Sequence, residues 1–104
     1  MKLLTIIYDN GIEEAVMEEI DSLHLEGWTH ITNVVGFGGQ GLRRGDQIFP
    51  GTNNILLIAL PEERIPEVQR HLRQLQSTFR LKPGITILVQ PVEILGDEVP
   101  EATR

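Results

Sequence analysis

Residues 54–79 read NILLIALPEERIPEVQRHLRQLQSTF, and the change of period inside them decides the fold. Up to Leu60 the apolar residues run on without interruption, as in a strand buried on both faces. Pro61 breaks the run, and Glu62 and Glu63 follow where a helix dipole favours acids. Ile65, Val68, Leu72, Leu75 and Phe79 then recur at spacings of three and four, one apolar helical face, with Arg64, Arg70, Arg73 and Arg80 over much of the rest. Pro83-Gly84 stops this helix. Upstream, Lys2 to Tyr8 (KLLTIIY) reads as a strand ended by the turn residues Asp9-Asn10-Gly11. Ile12, Ala15, Val16, Ile20 and Leu23 share a second helical face, with Glu13, Glu14, Glu18, Glu19 and Asp21 mostly outside it and Gly27 closing the region. Trp28 to Gly36 and Ile85 to Leu95 supply two more strands, the latter with Pro91 as a bulge or edge feature. Between the halves, Phe37 to Thr52 is a long loop or an extended hairpin tip.

The order β-α-β-β-α-β implies an α+β protein, a ferredoxin-like βαββαβ sandwich in which two helices cover one face of an antiparallel four-stranded sheet. Residues 1–95 form the single domain and 96–104 a polar C-terminal tail. A sheet with one wet face should alternate apolar and polar residues. Leu3-Leu4, Ile6-Ile7, Ile55 to Leu60 and Ile87-Leu88-Val89 instead put apolar side chains on both faces. Oligomerisation through the uncovered face resolves this most simply; the alternative is a monomer with an exposed apolar face.

The 104 residues carry fifteen acids against nine bases, a net charge of −6, which argues against nucleic-acid binding because phosphates need a basic field. No apolar run is long enough to span a bilayer, and the opening MKLLTIIYDNG breaks too early for a signal peptide, so a cytoplasmic setting is expected. Cysteine is absent, which removes disulfides, thiol nucleophiles and thiolate zinc sites.

His24, His30 and His71 fall on three separate elements, and no metal site is expected from their spacing. Ser22 and Ser77 lack a nucleophile-elbow setting, so no catalytic residues are assigned and no enzyme is expected. The segment Gly36-Phe37-Gly38-Gly39-Gln40-Gly41 leaves a strand with few side chains, so successive amides can form an anion-binding concavity. Arg43 and Arg44 add guanidinium donors suited to phosphate or carboxylate. A simple hairpin tip with a solvated arginine pair beside Asp46 fits the same residues. Pro50-Gly51 sets the turn back into the sheet, and Asn53 and Asn54 can tie up loop backbone. With few apolar anchors, residues 38–49 are expected to order only against neighbours or a ligand.

At this loop the chain resembles the PII signal-transduction family and its PII-like relatives, as a divergent, non-classical branch. Thr32-Asn33-Val34-Val35-Gly36-Phe37-Gly38-Gly39-Gln40 is similar to the family's T-x-V-x-G-F-G-R-Q, and Arg44-Gly45 resembles an Arg-Gly inside its T-loop. Phe49 to Asn54 looks closer to a PII-like branch with P-G-x-N before the third strand. The resemblance implies a homotrimer with sheets facing inward, which binds adenine nucleotides or related small anionic effectors in clefts between subunits. It also implies that the 37–52 loop contacts a membrane transporter or an enzyme target. By position, Gly36, Phe37, Gly38 and Gln40 would contribute to the cleft, with Arg43 and Arg44 beside them. The chain departs from the family at Gly39, where the family has Arg, and at Ile48, where the modified tyrosine stands, so uridylylation is not expected. Arg80-Leu81-Lys82-Pro83-Gly84 replaces the T-G-x-x-G-D-G-K phosphate loop, and the last strand ends without a basic pair. A different effector, or none, therefore fits as well as ATP. Competing readings are a metal-binding protein of the divalent-cation-tolerance type in the same fold, and a ligand-free interaction module.

Overall fold

The computed structural model describes residues 1–38, 41–43 and 51–96. Along them run β1 (Lys2–Asp9), α1 (Glu13–Ser22), β2 (Thr29–Val34), β3 (Gly36–Gly38), β4 (Gly41–Arg43), β5 (Asn53–Leu60), α2 (Ile65–Thr78) and β6 (Ile85–Pro91). A 3-10 turn leads into each helix, Asn10–Ile12 before α1 and Glu62–Arg64 before α2. β2, β5, β1 and β6 form one sheet in that order, every neighbouring pair antiparallel, while β3 and β4 form a separate two-stranded ribbon. Each α-helix thus joins two strands separated by a third, the ferredoxin-like arrangement expected from the element order.

The register decides what each face carries. Leu4 lies opposite Ile58 and Val89, Ile6 opposite Leu56 and Ile87, and Tyr8 opposite Asn54 and Ile85. Because side chains alternate along a strand, these positions share one face. On it Leu4, Ile6, Tyr8, Leu56 and Ile58 pack with Val16 and Ile20 of α1 and Val68 and Leu72 of α2 to make the core. Each fully buried aliphatic side chain there contributes about 1.5–3 kcal/mol. The alternate positions, Leu3, Thr5, Ile7, Ile55, Leu57 and Ala59, point away from both helices and stay partly or fully exposed. On the flanking strands Ile31 is 41% and Leu88 52% exposed, so the apolar surface extends across the open face.

Three local features differ from the sequence reading. Helix α1 ends at Ser22, short of Gly27: past the Leu23 cap the chain turns through φ 50° at His24. The strand expected over Trp28 to Gly36 is broken between Ile31 and Val34 by a bulge in which Asn33 takes φ 58°. Beyond it the start of the loop is a ribbon, Gly36 opposite Arg43, Phe37 opposite Leu42 and Gly38 opposite Gly41, in keeping with the hairpin-tip alternative. The expectation that residues 38–49 order only against neighbours or a ligand falls largely on positions outside the described residues. The last strand stops at Pro91 instead of running to Leu95, because its partner β1 begins at Lys2; the Val92 amide makes a closing bond to the Met1 carbonyl at 3.2 Å.

His24 is exposed and holds the left-handed conformation that glycine adopts without a Cβ penalty. His24→Gly should therefore raise stability by about 1 kcal/mol, read as a higher urea midpoint at fixed protein concentration. A lower midpoint would show that the imidazole contributes more than the strain costs.

Candidate functional site

The two stems of the loop are tied to the end of β1 by a polar clamp. Asn33 in the β2 bulge donates its amide to Asn54 Oδ1 at 3.0 Å. Thr52 Oγ1 donates to Asn33 Oδ1 at 3.2 Å and accepts from Asn10 Nδ2 at 2.6 Å. The Asn10 amide also donates to the Thr52 carbonyl at 3.0 Å. Thr52 and Asn54 are buried polar residues, and these bonds supply the partners that burial demands. The sequence reading that asparagines hold loop backbone is met at Asn54.

Gly36 follows this clamp, and a Cβ there would stand 2.8 Å from Asn53 Nδ2, so a larger residue would have to push the Asn53 side chain aside. Phe37 comes next and is 83% exposed, an aromatic ring with no core to pack into. Gly36, Phe37 and Gly38 form β3, and the register sets Gly36 across from Arg43 in β4. The ribbon register thus sets Gly36, Phe37 and Gly38 on one strand and Arg43 on the other. Gln40 and Arg44 lie outside the described residues.

A second feature sits on the open sheet face, at the end away from the loop. Leu3, Leu57, Ala59, Trp28, Thr29, Gly27 and Glu26 line a shallow depression of about 380 Å³. Trp28 is the chain's only tryptophan and is 43% exposed. No simple periodicity marks this depression, since it is made where the β2 start meets the middle and end of β5.

The third feature is a polar cluster that the sequence reading missed. On β2, His30 stands opposite Leu56, which turns its ring toward the helix layer. There His30 Nε2 lies 2.8 Å from Glu13 Oε2 and 3.3 Å from the Tyr8 hydroxyl, and that hydroxyl donates to Glu13 Oε1. Burial and the Glu13 carboxylate push the Tyr8 phenol far above its ordinary range, against a smaller opposing effect from the Asn54 side chain. Trp28 meets the His30 ring edge-on, centroids 6.1 Å apart. A separate pair, His71 Nδ1 with Glu19 Oε2 at 2.8 Å, links α2 to α1.

Among the described residues no three His, Asp or Glu side chains converge, and no helix is long and apolar enough to cross a membrane. The fold and the glycine-rich ribbon at the end of β2 define a PII-type domain. The chain belongs to the nitrogen regulatory protein P-II family, whose model matches residues 1–95. Similar solved structures include CPII, a nitrogen regulatory PII-like protein from Thiomonas intermedia K12 bound to ADP, AMP and bicarbonate. It is 19% identical over 88% of this chain and 86% of that one, with a TM-score of 0.65. A DUF3240 family protein from Shewanella baltica is 17% identical over 94% and 96% of the two chains, TM-score 0.69. A PII-like signalling protein from Thermus thermophilus is 24% identical over 86% and 83%, TM-score 0.56. No curated protein matches the sequence.

Proposed function

We propose that this protein is a non-enzymatic, trimeric P-II-type regulator that binds a small anionic effector, an adenine nucleotide first among candidates, in clefts between subunits. The 37–52 loop would then present the bound state to a transporter or enzyme target. The observation that carries this reading is the open sheet face: Leu3, Ile7, Ile31, Ile55, Leu57 and Leu88 form one apolar surface that continues to the clamped stems of the loop. Covering that surface with a second copy would close a cleft along the clamped stems of the loop, where the exposed Phe37 ring can stack an aromatic base. The amides of the Gly36–Gly38 strand, with Gln40, Arg43 and Arg44 as further donors, would serve the anionic end. The ADP and AMP in the CPII structure support adenine nucleotides as the first ligands to try.

Calorimetry against ADP, AMP, ATP and bicarbonate, with Trp28 emission read in parallel, tests the effector. Replacing both Arg43 and Arg44 by Ala should weaken binding of the anionic ligand by about tenfold or more, since each charge-assisted bond contributes about 1.5–3 kcal/mol, while the thermal midpoint stays within a degree or so. A clear loss of stability with binding intact would make the pair structural and the loop a connection.

A further inference from the structure

The cluster of Tyr8, Glu13 and His30 brings three donors from β1, α1 and β2 to one point at the edge of the helix layer. We propose that the Tyr8 hydroxyl oxygen, the Glu13 carboxylate and His30 Nε2 form a binding site for a divalent first-row transition cation of the zinc, copper, nickel or cobalt class.

Donors bound about 2.0–2.2 Å from one ion, at tetrahedral or octahedral angles, stand roughly 3–3.5 Å apart. Here His30 Nε2 is 2.8 and 3.1 Å from the two Glu13 oxygens and 3.3 Å from the Tyr8 oxygen, and a cation enters by parting the Tyr8 hydroxyl from the Glu13 oxygen it bonds. The donors rest on three separate elements of a packed core, which fixes their relative positions. The His30 and Glu13 side chains keep 22% and 30% exposure, which leaves a route in and room for water to complete the coordination. The Glu13 carboxylate supplies a group complementary to a cation. One supporting group is in place: Trp28 packs edge-on against the His30 ring.

The donor set selects the class of ion. One imidazole with two oxygen-bearing side chains suits borderline cations, whereas magnesium and calcium prefer all-oxygen sets and cuprous ion prefers sulfur. In the metal-free state Tyr8 holds its proton on the hydrogen bond to Glu13. A cation that takes both oxygens displaces that bond and, where the phenolate ligates, sends the proton to the buffer.

The experiment titrates the full chain, without nucleotide, with zinc, copper(II), nickel and cobalt(II) chlorides, using magnesium and calcium chlorides as controls. Calorimetry should give one saturable site per protomer for at least one of the four, and copper should quench Trp28 emission. Glu13→Gln and His30→Gln should each weaken binding by about tenfold or more, with circular dichroism unchanged. Should either variant fail to fold, imidazole 15N spectra of the unmodified protein decide: on zinc addition His30 should shift before His24 and His71. Absence of saturable binding, equal binding of magnesium or calcium, equal affinity in both folded variants, or a first shift at His71 would overturn the proposal. Each of those results would leave the cluster as a hydrogen-bonded brace between α1 and β2.

Discussion

Replacing Ile58 by Asp should leave no folded protein at neutral pH. Ile58 is completely buried on the helix face of β5, opposite Leu4, in the centre of the core. The change forfeits about 1.5–3 kcal/mol of apolar burial and places a carboxylate where no cation or donor waits, a further penalty of several kcal/mol. Domains of this size hold about 5–15 kcal/mol in total, so the sum removes most or all of it. Far-UV circular dichroism at 25 °C checks this; a cooperative transition shifted by less than about 2 kcal/mol would mean that the core opens to admit water.

One residue earlier the same substitution should do something different. Leu57 projects from the opposite face of β5, among Leu3, Thr29 and Ala59, and is already partly exposed in the protomer. Leu57→Asp therefore spares the core and acts on association. If three copies each lose about 2 kcal/mol of apolar burial, the assembly weakens by about 6 kcal/mol, or about four orders of magnitude in the association constant. Sedimentation equilibrium at micromolar concentration should show a trimer for the unmodified chain and mostly protomer for the variant. A well-folded monomer before any substitution would end the trimer proposal, and a variant that stays trimeric would move the interface elsewhere.

These neighbouring positions also show how much of the molecule was legible in sequence. Apolar residues at both parities of KLLTIIY and NILLIAL announced that the sheet has two apolar faces, and the register assigns Leu57 to one and Ile58 to the other. Helix periodicity was equally plain, because Val68, Leu72 and Leu75 are the buried positions of α2. The site was harder to read. The bulge at Asn33 resets the parity of the chain after Ile31, so alternation across Trp28 to Gly36 cannot say which side Val34 or Val35 takes. Tyr8, Glu13 and His30 are spread over 23 positions and meet only because β2 pairs with β5 and not with β1. The Asp9-Asn10-Gly11 turn was visible, but the role of Asn10 was not, since its partner Thr52 lies across the fold.

The bulge has a consequence beyond the loop it introduces. β2 and β6 are the two outer strands of the sheet, and outer strands with free amides and carbonyls recruit strands from other molecules. The left-handed Asn33 kinks one of these borders, and Pro91 removes a donor from the end of the other. Side-by-side addition, the route that propagates without limit into fibres, is discouraged at both borders, while the apolar surface between them stays available. Contact through that surface can close on itself after a few copies. A chain with so apolar a face is thereby steered toward small finite assemblies and away from amyloid-like growth.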